Sequence, residues 1–361
     1  MPALTPSFVM DLESNMRRIT ENEYLRLTAS DRMWWQKPTK VLTSKSRREI
    51  ITWILNTAQI EDEGSGGNIT FDDLFMLETE IEMKTAGKGF KIRRNQFEDL
   101  DGNGVQVASE WSMQIGAQQG YWPQKSVSTL LKAGETTRAY DGSFYFAKDH
   151  LLNPFSPGLG TYANLFSGAA ASTPTTDPND AIYPGACPID DSVTAEVALQ
   201  NLAKVYGYIA SIRMPNGVDP RGLRPAAIIA GPRLFPRASL LSSAKTLAMA
   251  AGAAAAQGGS TDVAGLITAL GYGMPTQADE FAGFESDTSY FVLAEQISSS
   301  QLGAIAYVDR EPFSIRYYTG RGGGTGVDAI LDRADVLEWH TSGRNVATFG
   351  HPWLLFKVKA A

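Results

Sequence analysis

Cysteine is nearly missing from this chain. Cys187 is the single one in 361 residues, which excludes an intrachain disulfide and a cysteine-based zinc site. Histidine is scarce as well. His150, His340 and His351 show no H-x-x-x-H or H-x-x-E spacing that would seat a metal on one helix face. Positive charge is not in excess. The 32 Lys and Arg against 39 Asp and Glu leave a net charge of −7. That argues against a nucleic-acid binder driven by phosphate neutralisation, though a surface that merely faces nucleic acid stays open. Long apolar runs are lacking too. The stretch Thr246 to Gln257 is mostly alanine and too short to span a bilayer. Met1 to Met10 has no basic region followed by an apolar run, so no signal peptide is expected. A soluble protein without a membrane partner is the expectation.

What is present is ordinary for a globular protein. Hydrophobic residues make up 43% and charged ones 20%, and the length suits two domains or one large mixed domain. There is no internal repeat and no coiled-coil heptad.

The most patterned stretch is Leu77 to Arg94. Leu77 to Lys84 alternates apolar or β-branched residues with Glu78, Glu80 and Glu82, the period-two signature of a half-buried strand. Ala86-Gly87-Lys88-Gly89 follows, and Phe90 to Arg94 carries Lys91, Arg93 and Arg94. Read as a hairpin turning at Gly87-Lys88, it pairs Met83 with Ile92 and Glu82 with Arg93. Such a two-stranded ribbon is marginal alone in water and needs a surface to lie on.

Elsewhere, a helix is expected from Ser7 as N-cap to about Leu27, with Phe8, Leu12, Met16 and Ile19 on one side. Arg48 to Gln59 reads as strand or short helix, and Glu61 to Gly67 as an acidic turn. After Asp101-Gly102-Asn103-Gly104 the period changes to 3.6, predicting a long helix to Gly134 that Pro123 kinks or divides. A long Pro-, Gly- and Ser-rich loop fills 151–190. Ser192 to Ile212 reads as an amphipathic helix, Ala226 to Ala230 as a strand and Arg237 to Gln257 as an Ala-rich helix, with a flexible spot at 258–262. From Tyr290 the chain becomes strand-rich.

No catalytic set stands out. Asp149-His150 has the chemistry of a metal or acid/base pair, but a histidine satisfied near a turn explains it as well. Asp141, Ser143 and His150 sit close, yet no G-x-S-x-G elbow frames Ser143. Gly320 to Gly326 lacks the Lys-Ser/Thr of a P-loop. Asp99, Asp101 and Asn103 begin like a calcium loop but lack the later ligands. Glu61, Asp62 and Glu63 form a second acidic cluster that calcium would suit, and a flexible turn accounts for it equally. No cofactor and no metal are expected.

Three further stretches stand in order. The first is Tyr140-Asp141-Gly142-Ser143-Phe144-Tyr145-Phe146 with Asp149-His150 and Asn153-Pro154. The second is Asn216-Gly217 through Gly222-Leu223-Arg224-Pro225, an apolar run, and Gly231-Pro232 with Leu234. The third is Gly343-Arg344-Asn345-Val346-Ala347-Thr348-Phe349-Gly350-His351-Pro352-Trp353. Together they resemble the major head (capsid) subunits of Mu-like tailed phages. The first departs from that family, because Leu151-Leu152-Asn153 separates His150 from Pro154.

The resemblance implies an α+β chain with the Hong Kong 97-like major capsid fold: N-terminal arm, E-loop hairpin, long spine helix, peripheral and axial domains. On it, 1–39 is the arm, 40–100 the E-loop region, and 101–191 the spine helix with a peripheral segment. Residues 192–320 are mainly the axial domain, and 321–361 are C-terminal strands rejoining the peripheral sheet. It implies a structural protein, not an enzyme, that assembles with itself into pentamers and hexamers of an icosahedral or prolate shell. The shell belongs to the virion and is made in the host cytoplasm. Scaffolding, portal and decoration proteins are implied partners, with weak non-specific contact to packaged DNA. Because the chain begins almost directly with its first helix, scaffolding is expected from another protein. Glu78, Glu80, Glu82, Lys91 and Arg93 are the expected assembly contacts. The alternatives are a hydrolase using Ser143 and His150, or a minor phage structural protein.

Overall fold

The computed structural model describes residues 6–28, 33–54, 76–99, 103–171, 182–243, 275–278, 289–296, 302–317 and 336–359. The expected turns at Glu61–Gly67, 258–262 and Gly320–Gly326 lie outside them, as does most of the Ala-rich helix.

Two helices and a sheet make the first layer pair. Helix α1 (Pro6–Thr28) opens the chain, one residue ahead of the expected cap. It is followed by strands β1 (Thr39–Thr43), β2 (Arg48–Ile54), β3 (Met76–Glu82) and β4 (Lys84–Arg93). A short α2 (Arg94–Asp99) leads to α3 (Gly104–Lys132). α3 is one helix, not two. Pro123 removes the N–H that would bond the Gln119 carbonyl, but Pro123 and Gln119 are both buried, and the Gln119 side chain donates to Thr341 Oγ1 at 2.8 Å. Packing against the sheet thus holds the helix through the break.

α1 is not a free arm. Val9, Leu12 and Met16 bury against Ala108 and Ile115 of α3 and against Ile92, Ile315, Leu337 and Trp339 of the sheet. The helices approach backbone to backbone at Gly116. A Cβ there would lie 2.6 Å from the Thr20 carbonyl oxygen and 3.1 Å from Thr20 Cα, neither of which can swing away. We expect Gly116→Ala to lower stability by about 1–3 kcal/mol through overpacking, despite alanine's better helix propensity. Chemical denaturation of the free chain checks this.

The chain then passes through β5 (His150–Leu151), β6 (Thr161–Tyr162) and β7 (Leu165–Phe166), three short strands within the long loop. Helix α4 (Ala195–Ser211) starts at Thr194, whose hydroxyl accepts from the Val197 N–H. β8 (Leu223–Ala230), α5 (Phe235–Ser243), β9 (Thr276–Gln277), β10 (Tyr290–Gln296), β11 (Ile305–Tyr317), β12 (Val336–Phe349) and β13 (Leu355–Val358) complete the order.

Two larger sheets result. The first runs β1-β11-β12-β4 and the second β7-β13-β10-β8-β9. β2 and β3 pair only with each other. The largest core lies on the second sheet. It joins Ile228, Ile229, Phe291, Val292 and Phe356 to Leu202, Val205 and Ile209 of α4 and to Val127 and Leu131 of α3.

The last three strands divide between the sheets: β11 and β12 lie in the first and β13 in the second. The cause is local. After Phe349 the backbone N–H groups of Gly350 and His351 bond Ala304 and Gly303, and the turn Pro352–Leu354 redirects the chain to β10.

The largest correction concerns the expected hairpin. β4 does not fold back on β3. It pairs with β12 along its whole length, from Lys84↔Asn345 to Arg93↔Val336. Ile92 therefore faces Leu337 instead of Met83, and Arg93 faces Val336 instead of Glu82. Gly87 is a strand residue whose partner backbone comes close. A Cβ there would lie 2.5 Å from the Thr341 carbonyl oxygen, so glycine is required by that approach and not by a turn. The true ribbon is β2–β3, with Glu82↔Arg48, Glu80↔Ile50 and Glu78↔Thr52 in register.

Candidate functional site

The β2–β3 ribbon has two unlike faces, as alternation dictates. Ile51, Trp53 and Ile81 point inward and are buried with Leu302 and Ala306. Trp53 stacks on Tyr140 at 5.3 Å between ring centroids. This small cluster anchors the ribbon to the body of the subunit. The outer face carries Arg48, Ile50 and Thr52 on one strand and Glu78, Glu80 and Glu82 on the other, all exposed. Ile50 is 61% exposed.

Charge on that face is organised but weakly held. Arg48 Nη1 reaches Glu80 Oε1 at 3.1 Å, and Arg47 Nη2 donates to Glu82 Oε1 at 2.8 Å. All four side chains are more than half exposed, so each pair contributes at most about 1 kcal/mol. Glu78 makes no ion pair among the described residues.

The five expected contact residues are not brought together. Glu78, Glu80 and Glu82 share the ribbon face, whereas Lys91 and Arg93 lie on β4 in the first sheet. Lys91 pairs with Glu338 of β12 at 3.1 Å. The cations that do meet the ribbon's carboxylates are Arg47 and Arg48, which the sequence reading passed over. Their signal was there: an Arg-Arg pair directly before the alternating Glu49-Ile50-Ile51-Thr52-Trp53.

The hydrolase alternative meets a different geometry. Asp141 and His150 do come together, buried, with Nδ1 and Oδ2 2.6 Å apart. The other ring nitrogen faces the Tyr145 carbonyl at 3.0 Å, and the ring stacks on Tyr162 at 5.1 Å. Ser143 takes part through its backbone N–H, which donates to Asp141 Oδ1 at 3.2 Å. Both ring nitrogens are committed, so neither is directed at a serine hydroxyl to act as its base. Asp149 is exposed and is not the partner of His150. The trio fixes a turn.

Nearby, the Arg221 guanidinium lies 3.9 Å from the centroid of Trp353, which also stacks on the ring of His351 at 4.3 Å. Burial, with the adjacent Arg221 charge, pushes the His351 pKa down to about 3. Burial also lowers that of Arg221. These groups cement the two sheets.

No group of three or more His, Cys, Asp or Glu side chains suited to a metal exists among the described residues. No helix among them is long and apolar enough to cross a membrane. Asn103 precedes α3 without a side-chain cap bond.

Comparison with known proteins gives two findings. The family model described as Mu-like prophage major head subunit gpT matches residues 14–183, nearly half of the chain. Several solved capsid structures are similar over most of the chain. A subunit of the procapsid of bacteriophage JBD30 aligns at 14% identity and TM-score 0.50, covering 99% of this chain and 77% of that one. The bacteriophage JBD30 capsid aligns at 11% and 0.45, covering 91% and 65%, and the cyanophage P-SCSP1u capsid at 11% and 0.48, covering 90% and 86%. A search of curated proteins finds no match.

Proposed function

We infer that this chain is a major capsid (head) subunit of the Mu-like type, with the Hong Kong 97-like fold of tailed-phage capsids, and that it works by assembling with itself into a shell. Its role is structural, and the virion capsid is where it acts. One observation within the molecule carries the mechanism. A two-stranded ribbon is anchored by one apolar face and leaves the other exposed, with Ile50 among Glu78, Glu80 and Glu82. A ribbon pairing with neither sheet is poorly stabilised by its own chain, and a neighbouring subunit supplies the missing surface.

In this reading β2–β3 is the E-loop, α3 the spine helix, the first sheet the peripheral domain and the second sheet the axial domain. The axial units converge into pentamers and hexamers, and individually weak contacts sum through multivalency. With a net charge of −7, contact with packaged DNA is weak and non-specific. Scaffolding, portal and decoration proteins are the further partners that this role calls for.

Electron microscopy of the purified protein tests the function. Shells or ring-shaped capsomers are the expected result. A monomer at high concentration under every condition tried would overturn it. Copy number per particle separates this role from that of a minor structural component.

A further inference from the structure

A cavity of about 700 Å³ lies between α1 and the first sheet. Its charges are unevenly matched. Arg17 and Arg316 line it, but Arg17 pairs with Glu13 and Arg316 with Glu311. Glu21 and Asp309 also line it, and neither makes an ion pair among the described residues. Asp309 sits on β11 with Oδ1 buried and without a protein hydrogen-bond partner. The residue as a whole is half-buried, and an orphaned carboxylate oxygen of that kind is a modest cost to the fold. Burial raises its pKa, as it raises those of Tyr24 and Tyr307, to which the Asp309 charge adds.

The walls are aromatic. Tyr24, Trp35 and Tyr307 line the cavity, with the Trp35 and Tyr307 rings 5.5 Å apart and tilted by 52°. The Trp35 indole N–H and the Ser314 hydroxyl, also in the lining, have no protein partner. A carboxylate lacking a donor, rings that attract cations, and spare polar groups together specify an organic cation.

We propose that this cavity receives an arginine or lysine side chain of a second copy of this chain, its head group held by the Asp309 carboxylate beside the rings of Tyr24, Trp35 and Tyr307. This rests on the shell reading, which surrounds each subunit with copies. The chain has cations to offer: Lys84, Lys88 and Lys125 are exposed and pair with no carboxylate among the described residues. Within the subunit the carboxylate is a cost, and across the interface it becomes a contact.

The test uses the unassembled, ¹⁵N-labelled chain titrated with butylguanidinium chloride, against sodium chloride at equal ionic strength. A saturable shift of the Trp35 indole N–H signal is expected, identified by its loss in Trp35→Phe. Asp309→Asn should weaken that binding about tenfold or more, and Asp309→Glu should retain part of it. Asp309→Asn should leave the free subunit at least as stable, since it removes an unpartnered charge, yet cut the yield of shells several-fold. No saturable shift overturns the cation site. Saturable binding with undiminished assembly of Asp309→Asn overturns the second copy as its source. If the unaltered chain never assembles, the shell reading fails, while the titration still decides the cation site.

Discussion

Glu135→Gln should destabilise the subunit by about 3 kcal/mol or more, measured by chemical denaturation, because it strands a buried ammonium. Lys357 is fully buried in β13, and its Nζ lies 2.6 Å from Glu135 Oε1. Lys359 reaches the other oxygen at 2.6 Å. The Lys357 ammonium sits 5.8 Å from the Phe146 ring centroid and 5.9 Å from that of Phe291, inside the largest core. Those rings offset part of the loss but cannot replace a carboxylate. The double variant Glu135→Gln/Lys357→Met should recover most of the stability, since an apolar side chain needs no partner there. A double variant as unstable as the single one would show that packing, not charge, sets the cost.

The same pair predicts an acid limb. Burial raises the Glu135 pKa, but hydrogen bonds from Lys357 and Lys359 outweigh it and hold the carboxyl below its ordinary value. The folded pKa is therefore lower than the unfolded one. The stability this adds is complete above the unfolded value near ~4.3 and is lost as pH falls through the folded value. In Glu135→Gln that part of the acid dependence should vanish.

Reversing the ribbon charge should act on assembly, not folding. Glu80 and Glu82 are 54% and 56% exposed at their side chains and, among the described residues, pair only with Arg48 and Arg47. Losing two such surface pairs costs the free subunit about 1–2 kcal/mol at most. Glu80→Lys/Glu82→Lys, however, gathers four cations on the face left for a neighbour. Repeated at every contact of a shell, a small unfavourable term becomes decisive. Circular dichroism of the free chain should change little, and shell yield should fall at least tenfold. A variant that fails to fold alone would place the ribbon within the core.

Much of this architecture was legible locally. The 3.6-residue period marked α1, α3 and α4, and the apolar runs at Ala226–Ala230 and Tyr290–Leu293 marked β8 and β10. Partner choice was not legible. Alternation in Leu77–Lys84 and Phe90–Arg94 correctly indicated strands, but period two says nothing about what lies alongside. β4's partner is β12, some 250 positions later in sequence, and Gly87, which mimics a turn residue, is explained only by that neighbour's backbone. β11 runs through the charged Asp309-Arg310-Glu311 without a break in the strand. The structure keeps one strand by shifting register on both sides of Glu311.

The proposed contact face follows the same division. Glu78, Glu80 and Glu82 were found from their own pattern, and the exposed face they share is real. That Arg47, Arg48 and Ile50 share the ribbon with them was not legible, because it follows from the pairing of β2 with β3. The anchor is equally non-local: Trp53 stacks on Tyr140 in a distant segment, beside Ile51 and Ile81.

A cryo-electron microscopy reconstruction of assembled particles tests the central claim most directly. The outer face of the β2–β3 ribbon, with Ile50, Glu78 and Glu80, should lie in van der Waals contact with an adjacent subunit throughout the shell. Shells in which that face meets only solvent would contradict it.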